Sequence, residues 1–177
     1  MRSVWFGTAL ATALLMAAPG NAQQQPAGGN PADAVPEKMP FATPYGAPIS
    51  LQRAQAAVQA AVDEAGRHGW AVNVAVFDSG ANLVAFARMD GAQLGSIAIA
   101  EHKARAAVKF RRPTKFFEER IQQADAKYLL TLDDIVASRG GIPLIEDGKL
   151  IGAIGCSGAT GSQDEVACQA GAATINK

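Results

Sequence analysis

The chain has 177 residues, 49% of them hydrophobic and 6% aromatic, with 16 Lys and Arg set against 16 Asp and Glu. That length corresponds to one domain, and zero formal charge with a pI near 6.7 argues against a nucleic-acid binder, which needs a basic excess to meet phosphates. Composition also excludes collagen-like, coiled-coil and disulfide-dense scaffolds, and the abundance of Ala predicts a core of closely approaching, small-residue helices.

At the start, Arg2 precedes an apolar run from Val4 to Ala18, followed by small residues at Gly20 and Ala22. This predicts a secretory signal peptide over 1–22, cleaved after Ala22. The run of about 15 residues is shorter than the roughly 20 a membrane-spanning helix requires. The mature protein is therefore expected to be periplasmic or secreted, without stable membrane insertion. Between 23 and 48, Pro26, Pro31, Pro36, Pro40, Pro44 and Pro48 recur among Gln, Gly and Asn with no helix or strand period. That stretch reads as a disordered, Pro-rich leader, and the folded domain is assigned to 49–177.

Ser50 is a fitting N-cap for a helix over Leu51–Arg67, whose apolar stripe runs through Ala54, Val58, Ala61 and Ala65 and which Gly69 ends. Ala71–Phe77 alternates as a strand, Asp78 to Asn82 supplies turn chemistry, and Leu83–Arg88 returns as its hairpin partner. An Ala-rich helix over Leu94–Phe110 follows; Pro113 breaks it, and Thr114 is placed to cap a shorter helix through Gln123. Lys127–Arg139 fits neither period. Ile142–Ile145, the Asp147-Gly148 turn and Leu150–Ser157 form a second hairpin, and Ser162 with Glu165 matches a capping box for the last helix. The order predicts an α+β fold, an antiparallel sheet of about four to five strands flanked by helices.

Four segments carry a resemblance: Asp78-Ser79-Gly80 through Arg88-Met89-Asp90-Gly91; Lys103-Ala104-Arg105-Ala106-Ala107; Gly140-Gly141-Ile142-Pro143-Leu144; and Gly152-Ala153-Ile154-Gly155-Cys156-Ser157-Gly158 with Gln163-Asp164-Glu165. In this order and spacing the chain resembles the GlcG/HbpS family of haem-binding or haem-degrading domains, and is similar to the C-terminal domain of PduO-type proteins, over about Ile49 to Ile175. The resemblance implies a profilin-like α/β/α layering, homo-oligomers, and haem or a related tetrapyrrole as ligand, with storage, sensing or degradation open as roles.

Site chemistry can be read beside it. Lys103, Arg105, Lys109, Arg111, Arg112, Lys115 and Arg120 face only Glu118 and Glu119 in the same stretch. Haem propionates are held by charge-assisted bonds to such groups, so Lys103, Arg111 and Arg112 are taken as propionate partners, the alternative for each being a solvated helix face. His102 is the candidate axial ligand to iron, or else a surface or interface histidine. Thr114 either meets a haem face or caps its helix, and His68 suits a helix C-terminus. Asp78 is expected to organise its turn and Arg88 to pair with a carboxylate or contact the cofactor. Carboxylates Asp78, Asp90, Asp164 and Glu165 match no calcium loop. Cys156 and Cys168 form an even pair in an exported chain and are expected to be disulfide-linked; if reduced, Cys156 becomes a possible thiolate ligand. Two rival readings stand: an enzyme or accessory protein for a small hydroxy- or oxo-acid, with Lys103 and Arg88 as anion clamps, and a structural oligomer without a ligand.

Overall fold

From Val72 through the chain's first strand, Val72, Val74 and Val76 alternate with Asn73, Ala75 and Phe77, and both sets are buried, so the sheet is covered on both faces. The computed structural model describes residues 35–39 and 41–176; the predicted signal peptide and the leader as far as residue 34 lie outside these. Its four strands are β1 (Asn73–Asp78), β2 (Leu83–Arg88), β3 (Gly141–Glu146) and β4 (Lys149–Ser157). They form one antiparallel sheet in the order β2-β1-β4-β3, with Val74 opposite Cys156 and Val76 opposite Ile154 where the two hairpins meet.

Four helices flank it: α1 (Leu51–Arg67), α2 (Gly95–Phe110), α3 (Lys115–Gln123) and α4 (Gly161–Ala172). On one face, Ala54, Ala57, Ala61 and Ala65 of α1 and Ala167, Cys168 and Ala172 of α4 pack on Val72, Val74, Val76 and Ile154. On the other, Ala100, Ala104, Ala107 and Val108 of α2 pack on Ala75, Phe77 and Ala153. Small residues set the spacing. A Cβ at Gly155 would lie 2.1 Å from Ala100 O and 2.5 Å from Ala104 N, and one at Gly171 would lie 2.6 Å from Ala57 O, so α2 sits on β4, and α4 on α1, at backbone contact. Cys156 of β4 and Cys168 of α4 are joined by a disulfide, and no free cysteine remains among the described residues.

Four local expectations change. First, the leader's last residues are not a free spacer. Gly46 N donates to Leu150 O (2.8 Å) and Leu150 N to Pro44 O (2.8 Å), Ile49 N donates to Ile151 O (2.9 Å), and Tyr45 Oη donates to the carbonyls of Val108 and Lys109 at the end of α2. Backbone donors and acceptors on β4 past the end of β1 attract this segment. Second, the last helix is capped by Thr160 and Gln163, in a reciprocal capping box, rather than by Ser162 and Glu165. Third, Thr114 makes no capping bond to α3; its hydroxyl accepts from Gly141 N at 2.9 Å. Fourth, Lys127–Thr131 is a 3₁₀ turn whose Leu129 joins Phe117 and Ala126 in a small aromatic-rich cluster under α3.

Two glycines test this packing in opposite directions. Gly155→Ala should cost about 3 kcal/mol, because its Cβ would strike backbone rather than a movable side chain. Gly66→Ala, in α1 with nothing within 4 Å of the new Cβ, should instead stabilise by about 0.5–1 kcal/mol. Urea denaturation midpoints of the two variants measure both effects.

Candidate functional site

α2 carries Ala100, Lys103, Ala104 and Ala107 on one stripe, and Lys103 shares the burial of its alanine neighbours at 1% exposure. Its Nζ donates to Asp164 Oδ2 (2.9 Å) and to Cys156 O (3.0 Å), while Asp164 Oδ1 accepts from Ala159 N (3.0 Å). Burial pushes the Asp164 carboxyl above its ordinary range, against the pull of Lys103 and the amides of Ala159 and Gly158. Gly140 passes directly over the pair: at φ +110° its Cβ would lie 2.9 Å from Cys156 O and 3.2 Å from Lys103 Nζ. At Gly141 a Cβ would fall 2.4 Å from Lys103 O. Thr114 closes the junction, exchanging bonds with Gly141 through its own N–H and its hydroxyl.

Lys103 therefore belongs to the interior, not to a pocket rim, and Thr114, wholly buried, offers no face to a cofactor. The remaining cations of the predicted basic patch are dispersed. Arg111, in the left-handed conformation after α2, donates to Thr43 O (3.1 Å) and lies over the Tyr45 ring. Arg112 lies over Phe41 and Phe116 and donates to Phe110 O; burial, then the nearby Arg111, lowers its pKa. Both arginines thus hold the chain's own N-terminal segment. Lys109 pairs with Asp134, Lys115 with Glu165, and Arg105 lies over the Phe77 ring.

A second group surrounds the junction, centred on Arg139, which the sequence did not single out. Arg139 Nε donates to Glu118 Oε1 (2.8 Å), its N–H to Glu118 Oε2 (2.7 Å), and its Nη1 reaches Glu165 (3.4 Å). Burial pulls Glu118 upward, but the Arg139 bonds outweigh it and hold this carboxyl below its ordinary range. Asp78 organises its turn as expected, accepting from Gly80 N and Asn82 N, and His68 ends α1 with its ring stacked on Trp70. Arg88 is exposed and, contrary to the expected carboxylate partner, joins no ion pair among the described residues. Among those residues, no cluster of three His, Cys, Asp or Glu side chains is placed to hold a metal.

His102 remains. It lies on the solvent side of α2, exposed, with no hydrogen bond, ion pair or ring contact among the described residues. Gly95, Ala98 and Ile99 share its face at helical spacing, all exposed, with Leu94 71% exposed beside them. An unpaired imidazole thus stands on an apolar strip open to solvent. Separately, a shallow cleft of about 530 Å³ runs between α1 and β2, lined by Leu51, Gln55, Val58, Val84 and Phe86 among others; no predicted site residue lines it.

Comparison with known proteins adds to this geometry. A family model described as haem degrading protein HbpS-like matches residues 49–173. The chain is 38% identical over 109 residues to protein GlcG of Escherichia coli K12, covering 62% of this chain and 81% of that one. In structure it is similar to a double mutant of Streptomyces reticuli HbpS (TM-score 0.69, 32% identity, 83% of this chain and 100% of that one). It is also similar to PduOC in a crystal structure of its haem complex (TM-score 0.66, 29% identity, 73% and 96%).

The buried pair makes a stability prediction. Asp164→Ala should cost about 3–5 kcal/mol, since it leaves the Lys103 ammonium buried and uncompensated, whereas Lys103→Met combined with Asp164→Leu should recover most of that loss. Denaturant unfolding of the single and double variants gives the comparison directly.

Proposed function

The chain belongs to the HbpS-like family of haem-degrading proteins, and from that premise we propose that it is an exported haem-binding protein that holds the cofactor against the outward face of α2. The observation that carries this reading is His102: an exposed imidazole, bonded to nothing among the described residues, on a strip of Leu94, Ala98 and Ile99. Those residues fit an iron porphyrin. Imidazole is a common axial ligand, and aliphatic side chains one turn away can lie against an apolar ring. The cations Lys103, Arg111 and Arg112 do not suit propionates, because one is sealed with Asp164 and two are engaged by the N-terminal segment.

Haem, when bound, supplies a redox-active iron. The chain's own contributions are to ligate it through His102 and to shield one face of the ring from water with Ile99 and Ala98. Export is supported by the Arg2-to-Ala22 pattern and by the Cys156–Cys168 disulfide, a bond that persists in oxidising compartments. Exposed Leu83 and Phe86 on the edge strand β2 support a homo-oligomer as the functional form.

Haemin titration tests the assignment. The complex should show a Soret band that His102→Ala shifts, with a change of spin state, while the variant's unfolding midpoint stays unchanged because the side chain is exposed and unbonded. A spectrum identical to the wild type would remove His102 as ligand. Edman sequencing of the protein recovered from the periplasm or medium should begin at Gln23; retention of Met1 in a membrane fraction would overturn the export reading.

A further inference from the structure

The outer strands of an open sheet carry rows of N–H and C=O groups that must be covered or hydrated, and this chain treats its two edges differently. At β3, Cys156 N donates to Gly140 O, so by alternation Gly141 and Pro143 turn their main chain outward. Gly141 N donates to Thr114 Oγ1 (2.9 Å) and Gly141 O accepts from Thr114 N (3.0 Å). Pro143 has no N–H, and its carbonyl accepts from Asn176 Nδ2 (3.0 Å), while Ile145 N donates to Asn176 Oδ1 (2.7 Å). The β3 edge is closed by the chain's own residues.

β2 has no such cover. Met89 N donates to Val72 O, which makes Ala87 with Val74 and Ala85 with Val76 the hydrogen-bonded pairs of this ladder. Phe86 and Arg88 therefore point their N–H and C=O groups away from β1, where nothing among the described residues meets them. The one register shift lies before Ala85, so this stretch of edge is regular. One face of β2 is open too. α2 packs on β1, β3 and β4, which leaves Phe86 at 37% exposure beside the exposed, unpaired Arg88. On the other face, the cleft between α1 and β2 is bordered by Leu51, Gln55 and Gln59. That row carries no charge, and depletion of charge marks the core of an interface.

We propose that β2 pairs antiparallel with β2 of a second copy about a two-fold axis at Ala87, joining two sheets into one of eight strands. The interface rests on the homo-oligomer reading given above and not on haem. In this register Phe86 of each copy exchanges both main-chain bonds with Arg88 of the other, so all the outward donors of the regular stretch are satisfied. The two side chains stand directly opposite, with Cα atoms about 5.5 Å apart. Each unpaired guanidinium then meets an exposed ring, the contact that Arg105 makes with Phe77 and Arg111 with Tyr45 within the chain. The helix layer agrees. α1 lies over β1 and β2, and strands about 4.8 Å apart set α1 and its symmetry mate about 10 Å apart, the packing distance of two helices. The rows of Leu51, Gln55 and Gln59 meet there and close both clefts. A second copy is the occupant because the strip complements itself when turned about the axis, donors against acceptors and rings against cations, and a chain of zero formal charge meets its own copy without net repulsion.

Sedimentation equilibrium and cross-linking test it. The protein should sediment as a dimer or an even multiple. Phe86→Lys sets a cation opposite Arg88 and removes the ring, so it should weaken the dimer at least about tenfold with an unchanged far-UV spectrum, and adding Arg88→Asp should restore association through an opposite-charge pair. Ala87→Cys provides the one free thiol, because the chain's two cysteines are joined to each other. On the axis its Cα atoms lie about 4.5 Å apart, within disulfide reach, so mild oxidation should yield a covalent dimer, whereas Gln169→Cys on the exposed side of α4 should not. An oligomer that withstands Phe86→Lys and fails to cross-link through Ala87→Cys overturns the β2 interface and leaves the oligomer reading intact. A protein that stays monomeric up to about 100 μM overturns both, including the case in which the edge serves a strand of some other protein. Should Phe86→Lys not fold, the Ala87→Cys cross-link decides alone, its formation supporting the interface and its absence overturning it.

Discussion

The buried ion pair between Lys103 and Asp164 is the constraint around which the rest of this molecule is arranged. An ammonium and a carboxylate removed from water lose several kcal/mol of hydration each, and their attraction offsets this only if every remaining donor and acceptor is satisfied. That requirement reaches outward. Lys103 Nζ needs a second acceptor and takes Cys156 O; Asp164 needs donors and takes Ala159 N. Satisfying both brings the middle of α2, the end of β4 and the first turn of α4 to one point, over which only a glycine, Gly140, can pass. The disulfide from Cys156 to Cys168, one helical turn beyond Asp164, fixes the same strand to the same helix by a covalent route.

This explains what three of the four resembling segments have in common. Lys103, Gly140-Gly141, Cys156-Ser157-Gly158 and Asp164 are far apart in the chain, yet all converge on the pair, and Thr114 joins them through Gly141. A set of residues that must change together is a strong marker of fold, because altering one leaves a buried charge or a steric clash. It is a weak marker of ligand, since all of these residues but Gly158 are buried. Membership of the HbpS-like family therefore carries the architecture, four antiparallel strands between helix layers, further than it carries a particular cofactor contact.

Much of that architecture was legible in the sequence for definite reasons. Alternating Val72, Val74 and Val76, the Asp78 turn, the Asp147-Gly148 hairpin and the alanine stripe of α1 each follow from one local periodicity or one turn residue, and the structure places them accordingly. The basic run from Lys103 to Arg120 was misleading because charge density along a chain is not charge density in space. A helix turns about 100° per residue, which sends Lys103 inward while Arg105 and Lys109 go elsewhere, and the left-handed Arg111 followed by Pro113 redirects the rest. One signal was available. Ala100, Lys103, Ala104 and Ala107 recur at helical spacing, so Lys103 lies on the buried stripe. The docking of residues 43–46 on β4 had no such signal, because backbone pairing of a Pro-rich segment leaves no side-chain period to read.

α2 is consequently a helix with two unlike sides. Its inner side is immobilised: Gly155 admits its backbone to contact distance, Lys103 ties it to α4, and Tyr45 holds its last carbonyls. Its outer side, from Gly95 through Ala98 and Ile99 to His102, contributes nothing to that packing and can be devoted to a ligand without cost to the fold. A rigid inner side is what the proposed use of the outer side requires, because in that reading the imidazole must hold its direction while nothing on its own surface restrains it. The buried pair and the open histidine are adjacent in sequence, Lys103 and His102, and the rotation of about 100° between consecutive helix residues is enough to separate the residue that fixes the scaffold from the residue that the scaffold presents.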